Sequence, residues 1–144
     1  NRWAQLRHEG AGFQRALEGD LLTKVSSGGV FEVENPTAET ERLLAGEVVV
    51  TGPIFGSKAR RATREAAEYE RAALEAYELE PDAFHMMKKL APGTRRPAIA
   101  HPANLACHRE EDALVIRFDL AAGTYATVLL AHLAGGAPEE GPAV

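Results

Sequence analysis

Cysteine is almost absent from this chain: Cys107 is the single one among 144 residues. That excludes an internal disulfide framework and makes a reducing, cytoplasmic compartment the expected setting. No run approaches the ~18 consecutive apolar residues that a membrane-spanning helix needs, so no membrane partner is expected. A basic excess is missing as well. Lys and Arg number 16 against 21 Asp and Glu, a formal net charge of −5, and that global balance weighs against a generic nucleic-acid binder. The start shows neither an initiator Met nor a signal-peptide layout, as expected of a chain cut from something longer. Metal-ligand spacing is lacking too. His8, His85, His101, His108 and His132 are scattered, while Cys107 and His108 are adjacent and so point apart on a strand. No metal site is expected. Neither a Ser-His-Asp arrangement nor a Gly-rich phosphate loop is recognisable.

What is present is an ordinary globular composition, 45% hydrophobic, long enough to bury a core. Residues 1–17 read as helical, with Trp3, Leu6, Phe13 and Leu17 as apolar points. Residues 20–35 read as a β-hairpin turning at Ser26-Ser27-Gly28-Gly29. Asn35-Pro36-Thr37 is a helix entry, and Gly46 closes a short helix over residues 38–45. A strand over 47–51 is expected to break at Gly52-Pro53. Thr63 is the expected N-cap of a helix over 64–79, whose Ala66, Tyr69, Ala73 and Ala76 recur at spacings of three and four as one buried stripe. Strands are expected at 95–100, 105–109 and 113–120, then a helix over 124–134 capped by Thr124. Residues 136–144, rich in Gly, Pro and Glu, read as a mobile tail. The fold class is α+β.

Charge is segregated along the chain. Between Lys58 and Arg64 lie four basic residues and no acid, whereas residues 65–82 hold seven acids against one Arg. The basic loop precedes a helix N-terminus, where cations do not help the dipole. Its charges therefore hint at a partner, although a solvated loop is the alternative. Arg95 and Arg96 start a strand, so one points to each sheet face. Either they contact phosphate through their planar donor forks, or they are a solvated pair or a bridge to Glu110 or Glu111. Gly123 allows a chain reversal at positive φ, which puts Tyr125 at the mouth of the last helix. Tyr125 is either a core aromatic at a helix–sheet junction or a contact for a nucleotide base.

The segment Ile116-Arg117-Phe118-Asp119-Leu120-Ala121-Ala122-Gly123-Thr124-Tyr125-Ala126-Thr127-Val128-Leu129-Leu130 resembles the C-terminal signature of the D-type tRNA pseudouridine synthases. That signature is a phenylalanine, a leucine and then Gly-Ser/Thr-Tyr/Phe-Ala-Thr. Further stretches resemble the family in the same order: Asn1-Arg2-Trp3-Ala4-Gln5-Leu6-Arg7, Leu17-Glu18-Gly19-Asp20-Leu21-Leu22, Thr51-Gly52-Pro53-Ile54-Phe55-Gly56 and Gly93-Thr94-Arg95-Arg96-Pro97. The chain departs from the family pattern at Ala131-His132-Leu133, where Arg-Glu-Leu is usual. It also lacks the Gly-x-Lys-Asp nucleophile motif and the Asn-x-Phe-Gly-x-Gln-Arg-Phe-Gly motif.

The resemblance implies the C-terminal portion of a tRNA pseudouridine synthase. On it, residues 1–90 are a family-specific insertion domain and 91–135 contribute strands and a helix to the mixed sheet of the catalytic domain. The implied reaction is isomerisation of uridine, with uridine-13 the family target, and it needs no cofactor. Tyr125, Gly123 and Thr124 would line the uracil pocket, while Arg95, Arg96, Lys58, Arg60 and Arg61 would hold tRNA. None of the four aspartates, Asp20, Asp82, Asp112 and Asp119, occupies the nucleophile motif. The catalytic carboxylate is therefore expected upstream, in the N-terminal half of the same synthase, and this chain alone is expected to be inactive. The alternative is a non-catalytic RNA-binding or interaction module derived from such an enzyme.

Overall fold

The structure, a computed structural model, describes residues 14–80, 82–84, 86 and 89–135. Two compact units emerge, Asn1–Ile99 and Ala100–Val144. The first carries a four-stranded antiparallel sheet, order β2-β1-β3-β4, built from β1 Leu21–Lys24, β2 Val30–Glu32, β3 Val48–Ile54 and β4 Thr94–Pro97. The first unit includes Thr94–Pro97, which is laddered onto β3. Helix α1, Pro36–Leu44, follows β2, and α2, Arg64–Glu75, follows β3. Residues 1–13 of the expected first helix and the tail over 136–144 lie outside the described residues, while Ala16 and Leu17 are buried in irregular chain.

Side-chain alternation sets the two faces of this sheet. Leu22 lies opposite Val50, and Leu22, Val48 and Val50 form a fully buried cluster with Ala16 and Val33, against which Phe31 and Leu43 of α1 pack. A second cluster joins Leu17 to Ala62, Ala66 and Tyr69 around α2. The β1–β2 hairpin pairs Leu21 with Glu32 and Thr23 with Val30, as its alternating sequence requires.

Helix α1 starts as expected. Asn35 Oδ1 accepts the Ala38 N–H at 3.3 Å, and Pro36 takes the first turn. It ends in paired reverse bonds, Gly46 N to Leu43 O at 3.0 Å and Glu47 N to Arg42 O at 3.0 Å. Gly46 sits there at φ 73, the left-handed stop that glycine favours. Helix α2 ends in the same motif, at Glu75 rather than Leu79. Glu78 N bonds Glu75 O at 3.0 Å and Leu79 N bonds Leu74 O at 3.0 Å, with Glu78 in the left-handed region at φ 55. Its buried stripe is Ala66 and Leu74, not Ala73 and Ala76, which are exposed. Thr63 precedes α2 but makes no side-chain cap bond; its hydroxyl donates instead to Glu32 Oε1 at 2.5 Å.

Strand β3 runs through Gly52 and Pro53, where the sequence predicts a break. Strand β1 pairs only as far as Val50, and Pro53 pairs with Arg95 on the β4 side alone. Pro53 therefore stands on a local sheet edge, where a missing N–H is tolerated.

The second unit is a two-stranded ribbon, β5 Ala103–Glu110 with β6 Ala113–Asp119, and helix α3, Ala126–Leu133. Its register shifts between Ala103 and Ala106, where Asn104 takes φ 51 and donates from Nδ2 to Asp119 Oδ2 at 2.6 Å. The expected buried face of β6 is not closed: Ile116, Phe118 and Leu120 are half-buried and Leu114 is exposed. A ribbon of two strands has too little surface to bury such a face by itself.

Candidate nucleic-acid interface

A densely hydrogen-bonded polar centre grows from the edge of the first sheet. Thr51 lies opposite Pro97 and Pro53 opposite Arg95, so Thr51 and Arg95 share one face. The Thr51 hydroxyl donates to Leu21 O at 2.6 Å and accepts from Arg95 Nε at 2.7 Å. The rest of the guanidinium is equally committed. Its Nη2 donates to Thr51 O at 2.7 Å, and its Nη1 donates to Arg60 O at 2.9 Å and to Glu70 Oε1 at 2.8 Å. The side chains of Arg95 and Glu70 are only 5% and 14% exposed. The other carboxylate oxygen, Glu70 Oε2, accepts the Ala62 N–H at 3.1 Å.

Arg95 has a carboxylate partner that the sequence did not suggest. It was a candidate phosphate contact, with Glu110 or Glu111 as the competing partner. The structure instead buries it against Glu70 of α2, with every guanidinium nitrogen bonded inside the fold. Sequence reasoning passed over Glu70 and Thr51 as working residues. Thr51 had a signal, since it opens the Thr-Gly-Pro stretch, but Glu70 was one of seven acids in an acidic segment.

Residues 55–62 connect β3 to α2, and both of their ends are fixed. Ser57 N bonds Ala91 O at 2.9 Å and Lys58 N bonds Pro92 O at 2.8 Å. Gly56 and Gly93 make that approach possible: a Cβ on Gly56 would lie 2.2 Å from Gly93 N. The far end is held through Arg60 O and Ala62 N by Arg95 and Glu70. The loop backbone is thus tied down while its basic side chains point outward. Arg60 reaches Glu32 at 3.6 Å and Arg61 reaches Asp82 at 3.9 Å. Arg64, just beyond, pairs with Glu18. Lys58 is exposed and has no carboxylate partner among the described residues. Arg96 is exposed on the face opposite Arg95. The structure therefore brings Lys58, Arg60, Arg61 and Arg95 together through one loop and sends Arg96 to the other side of the sheet.

Gly123, Thr124 and Tyr125 lie in the second unit. Gly123 adopts φ 85, the positive value its turn requires. Thr124 is not the cap. Its N–H bonds Ala121 O at 3.1 Å, and α3 begins only at Ala126, with Tyr125 in the cap position and no side-chain cap bond. Tyr125 is 63% exposed, so no core in this unit claims its ring. Asp20 is buried and accepts the Leu17 N–H at 2.8 Å, and Asp119 is bonded to Asn104.

The comparisons agree with one another. The family model described as tRNA pseudouridine synthase D (TruD) matches residues 1–133. A tRNA pseudouridine synthase D from Anaeromyxobacter dehalogenans is 36% identical over 139 residues, covering 96% of this chain and 40% of the relative. One from Thermus thermophilus is 36% identical over 130 residues, covering 90% of this chain and 35% of the relative. In fold, the chain is similar to a crystal structure from Methanosarcina mazei, provisionally named a tRNA pseudouridine synthase D (TruD). That match has a TM-score of 0.71 and 23% identity, covering 94% of this chain and 35% of that one. The chain spans no more than 40% of the length of these relatives.

Proposed function

This chain belongs to the tRNA pseudouridine synthase D family, and from that premise we propose that it is the C-terminal portion of an enzyme that isomerises uridine in tRNA, with uridine-13 the target. The observation that carries the proposal is the family match over residues 1–133, which includes the Gly123-Thr124-Tyr125 turn. The reaction detaches uracil from its ribose and reattaches it through carbon. It requires a carboxylate nucleophile and a base taken out of its stack into a dry pocket. Tyr125 lines that pocket in this reading. Its exposure supports the assignment, since an aromatic ring at a helix mouth can stack on a flipped base, and Gly123 turns the chain beside it at φ 85. The nucleophile is supplied by the part of the synthase that precedes this chain.

That N-terminal half is also the partner that covers the open face of the β5–β6 ribbon. Residues 1–90 are the family-specific insertion domain, 91–135 belong to the catalytic domain, and the enzyme works in the cytoplasm. No described helix is long and apolar enough to cross a membrane. The exposed cations Lys58, Arg60, Arg61 and Arg96 contact tRNA phosphates.

The test is pseudouridine formation on unmodified tRNA by the isolated chain and by the full-length protein. Activity confined to the full-length protein is expected. Activity in neither favours the non-catalytic binding module, and activity in the isolated chain places the nucleophile among its own aspartates.

A further inference from the structure

We propose that the buried Arg95–Glu70 pair is a positioning clamp: it sets the backbone of residues 55–62 and through it presents Lys58, Arg60 and Arg61 to tRNA phosphates. This rests on the reading of that loop as an RNA contact. The physical argument begins with where the pair spends its hydrogen bonds. A buried ion pair needs its remaining donors and acceptors satisfied, and here two of those partners are loop backbone groups, Arg60 O and Ala62 N. Arg95 also grips Thr51 through both its hydroxyl and its carbonyl. One side chain therefore fastens the loop to the central strand, while Glu70 fastens it to α2.

At its other end the loop is held by Ser57 and Lys58 N–H bonds to residues 91 and 92. Arg95 lies on the same segment, three residues beyond Pro92. Residues 91–95 thus hold both ends of the basic loop. A loop fixed in this way loses little conformational freedom on binding, so its cations meet phosphates at low entropic cost. Arg95 acts here without touching RNA. That separates it from Lys58, Arg60 and Arg61, whose contacts would be direct.

The two roles leave different marks on salt dependence. Each direct phosphate contact adds roughly 0.7–0.9 to the slope of log affinity against log salt. A positioning residue changes affinity with the slope retained. The experiment measures tRNA binding over a salt series for the full-length protein carrying Arg95→Lys, Glu70→Gln, or Lys58→Ala/Arg60→Ala/Arg61→Ala, and for each clamp variant combined with the triple loop variant. Lysine keeps the charge but cannot reach Thr51, Arg60 O and Glu70 together. Hydrogen exchange at residues 57–62 reports on the loop directly, and Glu70→Gln carries the test should Arg95→Lys fail to fold.

The clamp variants are expected to weaken binding roughly tenfold, a coupling within the range of contacting networks, with slope unchanged and exchange at residues 57–62 accelerated. On the triple loop background the same substitutions should cost less than about twofold, because residues acting through one another are not additive. Unchanged affinity and unchanged exchange for Arg95→Lys would overturn the proposal, because a direct phosphate contact needs only the charge that lysine keeps. Equal losses on both backgrounds would also overturn it, by showing a general structural role. If the triple loop variant itself binds tRNA with unaltered affinity and slope, the RNA reading of the loop fails, and the proposal with it.

Discussion

Replacing Gly56 by alanine tests the loop's second anchor. Gly56 is buried where β3 leaves the sheet, and an added Cβ would lie 2.2 Å from Gly93 N, 2.4 Å from Gly93 Cα and 2.5 Å from Pro92 C. These neighbours are backbone, so no rotamer change can relieve the overlap. Ordinary contact begins more than an ångström farther out, and the two chain segments have to part by about that amount. The Ser57 N to Ala91 O and Lys58 N to Pro92 O bonds, 2.9 and 2.8 Å long, cannot survive such a separation. Their loss costs about 1 kcal/mol each, and overpacking strain adds about 1–3 kcal/mol. The expected destabilisation is about 3–5 kcal/mol. Gly46→Ala is the matched control. A Cβ there meets nothing within 4 Å, so only the left-handed φ of 73 is at stake, for about 1–2 kcal/mol.

Both variants are to be compared by denaturant unfolding of the full-length protein and by hydrogen exchange at the Ser57 and Lys58 amides. Protection at those amides should collapse in Gly56→Ala and persist in Gly46→Ala. Equal destabilisation of the two, or retained protection in Gly56→Ala, would refute the steric reasoning.

Tyr125→Ala is expected to lower turnover by roughly tenfold or more, the equivalent of one lost base–aromatic stack, with tRNA affinity nearly unchanged; undiminished turnover removes the ring from the pocket. Glu111→Gly should stabilise the β5–β6 ribbon by up to about 1 kcal/mol, because Glu111 turns the hairpin at φ 49, a conformation glycine adopts freely. Slower amide exchange along β5 and β6 is the readout, and faster exchange contradicts it. Glu32→Gln removes the carboxylate charge 3.6 Å from Arg60 and should raise tRNA affinity roughly twofold at low salt, a gain within the weak range of exposed pairs. A loss of affinity would show that Glu32 serves the interface by holding Arg60 in place.

Local structure was legible wherever a residue type has a single strong local use. The hairpin at Ser26-Ser27-Gly28-Gly29 and the Asn35 cap could be read directly, as could the Gly46 stop and the Gly123 turn. The same helix-ending motif at Glu78 was not, because a glutamate gives no sign that it will take a left-handed conformation. Pro53 misled for a related reason. Proline ends a strand that is paired on both sides, and only the tertiary register reveals that β1 has already ended at that point. Thr63 and Thr124 looked like caps, yet the first hydroxyl is taken by Glu32 and α3 starts two residues after the second. The partner of Arg95 was out of reach, since Glu70 is twenty-five positions away and nothing local separates it from its acidic neighbours. The Lys58–Arg64 cluster was visible as charge, but how its backbone is held was not.

A net charge of −5 is compatible with an RNA-facing surface once burial sorts the charges. Arg60, Arg61 and Arg64 are side chains 42–62% exposed, each beside an acid. Exposed pairs of this kind contribute about 0–1 kcal/mol and are screened by salt. A phosphate can replace such a carboxylate at little cost, and the release of condensed counterions from the nucleic acid adds to the gain. On the proposed reading of this loop as an RNA contact, the carboxylates are placeholders that keep the cations extended. The Arg95–Glu70 pair obeys the opposite rule. Removing one partner leaves a buried charge uncompensated, at a cost of about 3–5 kcal/mol, which a phosphate would have to offset to draw Arg95 out of its site. Exposure, rather than residue type or summed charge, separates the cations that can change partners from the one that holds their loop in place.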